Sequence, residues 1–319
     1  MASTALNRSL QDRLNERQDK LARLHRKTRK KLRRGDVHDL RVSARQLIAG
    51  LELLEPLEAP VAYRKTRKEL KRLLNSLREL RDLQVERRRL SAEEENPDVS
   101  ARRKLGPFLE RLKKMEKRAS SKAIRGLDGF KLRRVGQEVR ALAHYLDRSG
   151  AFGAGFNREL QALAERHVQE RYRKVLEAIR ALPRHTPSAL EIHEVRIRFK
   201  RFRYAWELLE PFLAHRTNSH ASLQSALKEF QTLLGEIQDL HVLLGTLAEY
   251  DGTQAQSKLA GYARTLARRQ GERIAVFERR GPSMLAPFRA CFRQRPPGGR
   301  TSAPSRRKLA SVNSRKRHS

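Results

Sequence analysis

The 319-residue chain has one cysteine, Cys291, which excludes an internal disulfide framework and a zinc site built from several thiolates. No run of about 18 apolar residues occurs, and Met1 to Leu10 lacks the apolar stretch of a signal peptide. These absences read as a soluble, cytoplasmic chain with no membrane partner. Aromatic residues make up only 6%, so stacking platforms for bases are scarce. There is no Gly-x-x-x-x-Gly-Lys phosphate loop, no His-Glu-x-x-His pattern and no glycine-rich dinucleotide turn. The expectation is therefore a protein that is not an enzyme and has no cofactor and no metal. Acidic residues are also in deficit: 36 Asp and Glu stand against 71 Lys and Arg, a net charge of +35. That excess repels itself in any compact state, and an anionic partner relieves it.

Apolar residues recur at helical spacing almost throughout, whereas alternating runs of Val, Ile and Thr are missing, which predicts an all-α fold. Gly35, Pro56, Pro97, Gly106-Pro107, Pro183, Pro187, Pro211, Gly252 and Gly281-Pro282 punctuate the pattern into about eight helical stretches, or two sets of four. The glycine-dense stretch Ser149 to Phe156 resists helix formation. It divides a first four-helix unit (10–148) from a second (157–292), with 149–156 as linker. Residues 293–319 lose periodicity and carry nine Lys or Arg and no acid, the composition of a disordered basic tail. Without that tail the net charge falls only to +26. The helical body is the main seat of charge.

The chain contains an internal repeat. Val37-His-Asp-Leu-Arg-Val opens a segment ending Glu52-Leu-Leu-Glu-Pro-Leu57; Ile192-His-Glu-Val-Arg-Ile opens one ending Glu207-Leu-Leu-Glu-Pro-Phe212, displaced by 155 residues. A second echo follows in the same order: Leu70-Lys71 with Leu80-Arg-Asp-Leu-Gln-Val85 returns, displaced by 157, as Leu227-Lys228 with Ile237-Gln-Asp-Leu-His-Val242. Two collinear blocks mark duplicated helical bundles. Asp36 and Ser188 are the expected N-caps, Ser188 forming a capping box with Glu191, and Glu55-Pro56 and Glu210-Pro211 the expected ends. At about 100° per residue, Leu40, Leu47, Leu51 and Leu54 share a core stripe, as do Val195, Phe202, Trp206 and Leu209. His38, Arg41 and Arg45 fall on another stripe. His193, Arg196 and Lys200 repeat it in phase, with Arg203 nearby.

The doubled His-x-x-Arg helix, each copy followed by an Asp-Leu-x-Val helix, closely resembles the CHAD family, the conserved histidine α-helical domain, from about Leu10 to Phe292. The resemblance implies two four-helix bundles related by a pseudo-twofold axis, whose basic helices line a groove or pore that binds inorganic polyphosphate. Residue by residue, it points to His38, Arg41 and Arg45 in the first unit and to His193, Arg196, Lys200, Arg201 and Arg203 in the second. It also implies residence at polyphosphate granules. Ser43 and Gln46 stand where the second unit has Arg198 and Arg201, so the first unit's helix is the less basic of the two.

Arginine suits a polyphosphate receptor through its planar fork of donors, and lysine adds point charge. Lys27, Lys31 and Arg34 from the preceding helix, Arg171 and Lys174 from its counterpart, and the equivalent pair Lys71 and Lys228 form a secondary set. Asp82 and Asp239 are expected to anchor basic side chains within each unit. Either histidine could donate to phosphate or orient the arginines. Phe202 and Trp206 lie on the core stripe, so packing is the expected role of the aromatics. The alternative is a protein that binds RNA or DNA without sequence preference. Weak nucleic-acid binding is a secondary expectation, because the charge alone permits it.

Overall fold

The computed structural model describes residues 2–94, 99–150, 153–183, 185–213, 220–251 and 259–292. It is all-α, with no strand among the described residues. The first half contains α1 (Ala2–Lys30), α2 (Arg34–Leu54), a 3₁₀ turn at Glu55–Leu57, α3 (Tyr63–Ser76), α4 (Arg78–Glu94), α5 (Val99–Asp128) and α6 (Leu132–Gly150). The second contains α7 (Ala154–Arg180), α8 (Ala189–Leu213), α9 (His220–Asp251), α10 (Ala260–Met284) and α11 (Pro287–Cys291). The basic tail expected at 293–319 lies outside the described residues. So do residues 151 and 152 of the expected linker. Gly153, at φ 102°, precedes α7 in a backbone conformation that suits glycine.

Both core stripes are buried. Leu40, Leu47, Leu51 and Leu54, and Val195, Phe202, Trp206 and Leu209, belong to one continuous apolar cluster that spans the two halves. Each such side chain contributes about 1.5–3 kcal/mol on removal from water. The repeated helices α2 and α8 pack against each other at the centre, where Gln46 donates to Glu207 at 3.3 Å. Arg171 of α7 also pairs with Glu52 of α2 at 2.8 Å. Phe199 is buried along with Phe202 and Trp206 and meets Phe230 edge-on at 4.8 Å. These three aromatics of α8 are therefore core.

Several proline expectations fail. Helix α8 continues past the expected stop at Glu210-Pro211 to Leu213, and α5 and α10 run through Pro107 and Pro282. A proline inside a helix costs about 3 kcal/mol. The buried neighbours Phe108, Leu109 and Leu112 in α5, and Leu208, Leu209 and Leu213 in α8, offset that cost. Two breaks fall where no glycine or proline punctuation was expected. One is the single residue Leu77 between α3 and α4; the other is Gly129–Lys131 between α5 and α6. The counterpart of α3 and α4 in the second half is the unbroken, 32-residue α9.

The cap expectations divide. Ser188 and Glu191 form the reciprocal box: Ser188 Oγ accepts from the Glu191 N–H at 3.2 Å, and the Ser188 N–H donates to Glu191 Oε2 at 2.7 Å. Asp36 is not an N-cap. Arg33 holds that position without a side-chain bond, and Asp36 sits inside the first turn, buried and paired with Lys27 at 2.7 Å. A carboxylate there still meets the positive end of the helix.

Candidate functional site

Helices α2, α3, α4, α7, α8 and α9 enclose a groove of about 570 Å³ between the two halves. Both copies of the basic stripe point into it. His38, Arg41 and Arg45 enter from α2, and His193, Arg196, Lys200 and Arg201 from α8. The cause is helical phase: with the apolar stripes committed to the core, the stripes about a quarter to a third of a turn away must face the space between the halves.

The cations are crowded and partly dehydrated. Arg41 is 8% exposed and donates to the carbonyl of Leu74 on α3. Burial, then Arg45, lowers its pKa to about 10, with Asp82 opposing. Arg196 is lowered by burial as well, against the pull of Asp239. Lys200 responds most. Burial, then repulsion from Arg196, Arg45 and Arg41, brings its ammonium down to about 7. His193 Nδ1 bonds the side-chain oxygen of Gln238. His38, at the exposed rim, has its pKa lowered by desolvation and then by Arg81.

Of the secondary positions only Lys71 lines the groove. Lys27 is spent on Asp36, Lys174 pairs with Glu170 at 3.1 Å, and Arg171 pairs with Glu52. Arg34 offers its carbonyl to Arg81 at 3.5 Å. Lys31 and Lys228 are exposed elsewhere. Arg203 falls short of the groove too, because Glu207 one turn on captures it and its guanidinium lies 5.9 Å from the Tyr204 ring centre.

The structure adds residues that the sequence reading passed over. Arg78 and Arg81 of α4 line the groove, as do Asn75, Glu86 and Gln238. Arg81 and Gln238 stand immediately before Asp82 and Asp239 in the second repeat block, so the block itself carried the signal. His167 of α7 also faces in; burial, then Arg171 and Lys174, lowers its pKa to about 4 and keeps it neutral. No spacing pattern marked it.

The wall's cations are Arg41, Arg45, Lys71, Arg78, Arg81, Arg196, Lys200 and Arg201, facing the carboxylates Glu52, Asp82, Glu86 and Asp239. Two of these carboxylates are held from behind. Glu52 takes Arg171, and Asp239 takes Arg89 of α4 at 2.8 Å, neither arginine lining the groove. Asp239 thus bridges the two halves while also drawing on Arg196 within its own. Asp82 lies 3.8 Å from Arg78 in its own unit, and burial raises its pKa. Burial also raises Glu86 to about 7, with Thr246 opposing. The remaining cations face the open space with little internal compensation. Among the described residues, no group of three His, Cys, Asp or Glu is placed to hold a metal ion, and no helix is long and apolar enough to cross a membrane.

This architecture matches known structures at low sequence identity. A crystal structure of the CHAD domain from the plant Ricinus communis aligns at 20% identity and TM-score 0.60, covering 91% of this chain and 92% of that one. PptA from Streptomyces chartreusis aligns at 18% identity and TM-score 0.55, covering 90% and 98%. At these identities the likeness is one of fold. No curated protein sequence matches the chain. The CHAD domain family model matches residues 12–248, well over half of the sequence, and the chain belongs to the CHAD family.

Proposed function

We propose that the groove binds inorganic polyphosphate and performs no chemistry on it, and that the protein acts at polyphosphate granules. One observation carries this reading: the cations of α2 and α8 are dehydrated and crowded against one another until Lys200 loses its proton near pH 7. Keeping like charges together in a part-buried groove is costly. An anion with many closely spaced charges removes the repulsion and takes up the unused donors of the guanidinium forks. Polyphosphate carries about one charge per phosphate and has no base to be read, and among the lining residues Tyr204 is the one Phe, Tyr or Trp, itself buried at 7% exposure. Phe199, Phe202 and Trp206 of α8 are committed to the core, which leaves few stacking platforms and disfavours the nucleic-acid alternative. Membership of the CHAD family, with the ligand that the sequence resemblance implies, supports the same choice.

The test uses Arg45→Glu with Arg201→Glu, a half-buried and an exposed position whose reversal spares the buried Arg41. Calorimetric titration should show polyphosphate affinity falling by a factor on the order of a hundred, about 1.4 kcal/mol per tenfold, with helicity unchanged. Undiminished affinity in the folded variant would remove the groove as the site. Displacement of polyphosphate by RNA at equal phosphate concentration would favour the nucleic-acid reading instead.

A further inference from the structure

A second cationic cleft, of about 820 Å³, lies away from the groove, where the end of α1 and the end of α5 meet the start of α6. Its floor is neutral and built. His25 Nε2 bonds the carbonyl of Leu127 at 2.9 Å, and its ring leans on Phe130 at 5.4 Å between centroids. Around that floor stand Arg26, Arg29 and Lys30 from α1 and Lys131, Arg133 and Arg134 from the α5–α6 junction. The one carboxylate in the cleft, Asp128, is taken by Arg29 at 2.6 Å. Among the described residues none of the other five cations has a carboxylate partner.

Helix stabilisation accounts for half of this cluster and no more. Arg26, Arg29 and Lys30 lie in the last turns of α1, where the partial negative charge of the helix end favours cations. Lys131, Arg133 and Arg134 lie at the opposite kind of end. They crowd the start of α6, whose first turn holds no acidic residue, and there a cation is disfavoured. Helix stability does not explain these three charges, whereas an anion in the cleft would be met by cations from α1 on one side and from the α5–α6 junction on the other.

We infer that this cleft is a second binding site for a phosphate chain, taking a different segment of the polyphosphate held in the groove. The ligand class rests on the function proposed above; the site does not. Arg134 also borders a hollow of about 200 Å³ shared with Lys65, Lys68 and the Glu69–Arg72 ion pair of α3, the helix that sends Lys71 into the groove. Basic side chains therefore continue around α3 from one site to the other. A chain long enough to reach both makes its second contact intramolecularly, which raises affinity without any new contact type.

The experiment compares the triple variant Lys131→Ser, Arg133→Ser, Arg134→Ser with the groove variant Arg45→Glu, Arg201→Glu, each titrated with tripolyphosphate, long-chain polyphosphate and single-stranded RNA. Serine is well tolerated at a helix start, so the triple variant should fold, as helicity and melting temperature will report. We expect the triple variant to lose one tripolyphosphate site and at least about tenfold of its long-chain affinity, while the groove variant keeps that site. Unchanged stoichiometry and long-chain affinity in the triple variant would overturn the cleft and leave the groove standing. If the groove variant matches the wild type and only the triple variant loses tripolyphosphate, the cleft stands and the groove reading fails. Loss of RNA affinity alone in the triple variant would make the cleft a nucleic-acid surface and overturn the inference.

Discussion

The two halves repeat one motif but supply its charge from different helices. In the second half the extra cation sits on α8, as Arg201, while α9 has Gly235 and Gln238, of which Gln238 lines the groove. Gly235 lies beside Arg196, whose guanidinium would be in ordinary contact, at 3.8 Å, with an added Cβ. The first half inverts this. Its α2 has Gln46 at the position of Arg201, but α4 places Arg78 and Arg81 where α9 has Gly235 and Gln238. The two histidines diverge accordingly: His193 is fixed by Gln238, whereas His38 faces the cation of Arg81. Symmetry is kept in the position of the charge, not in the residue that carries it. His193 is therefore held by a bond within the wall, and His38 stands at the exposed rim.

The halves are also closed differently, and the largest expected effect comes from that contrast. The first is sealed by the 19-residue α6, with Val135, Val139, Leu142 and Leu146 all buried. The second relies on the five-residue α11, whose Phe288 meets Trp206 at 4.9 Å and Phe202 at 5.1 Å, both edge-on. Phe288→Ala should cost about 3–5 kcal/mol, more than Leu142→Ala in the longer seal. Chemical denaturation of the two variants checks the ranking. Equal losses would mean that α11 is not a single-residue anchor.

Lys200 sharpens the comparison at the site, because its counterpart in the first half is an arginine, Arg45. Without ligand, the lysine is half protonated near pH 7. Its pKa in the unfolded chain is higher, so its destabilising contribution is full below about 7 and fades as pH rises from there towards the unfolded value. A bound polyanion should restore the proton, making binding weaken as pH rises above 7 and take up protons near neutrality. Lys200→Arg should flatten that pH dependence while Arg45→Lys leaves it in place. Calorimetry in buffers of different ionisation enthalpy reads the proton directly, and an identical pH profile for wild type and Lys200→Arg would dismiss the lysine's role.

Much of this was legible before the structure. The apolar period located the core stripes, and the repeat located the paired helices and the basic face that core burial leaves over. The rest depends on which partner each side chain takes, one turn away or on another helix. Arg203 shares the stripe of Arg196, yet Glu207 disarms it. Lys27 is basic and well placed in sequence, but Asp36 takes it. The contributions of Arg78, Arg81 and His167 rest on how α4 and α7 lean towards α2 and α8, an angle no periodicity encodes. Proline misled for a related reason: its local cost is readable, whereas the burial of Phe108 or Leu209 that offsets it is tertiary.

The smallest effect tests whether the repeated helices begin differently for a physical reason. Helix α8 starts with the Ser188–Glu191 box, satisfying two backbone N–H groups that have no partner within the helix. Helix α2 starts at Arg33, with an extended backbone at φ −66° and ψ 139° and no side-chain cap. That backbone is what a capping serine adopts. Ser188→Ala should therefore destabilise by about 1 kcal/mol, and Arg33→Ser should stabilise by a comparable or smaller amount, bringing the two helix starts closer to equivalence. Because Arg33 does not line the groove, polyphosphate affinity should be nearly unchanged by its loss. Thermal melts set against titrations separate the two readouts: a stabilised variant with intact affinity would show that α2 merely lacks a cap, and a large fall in affinity would extend the groove to the foot of α2.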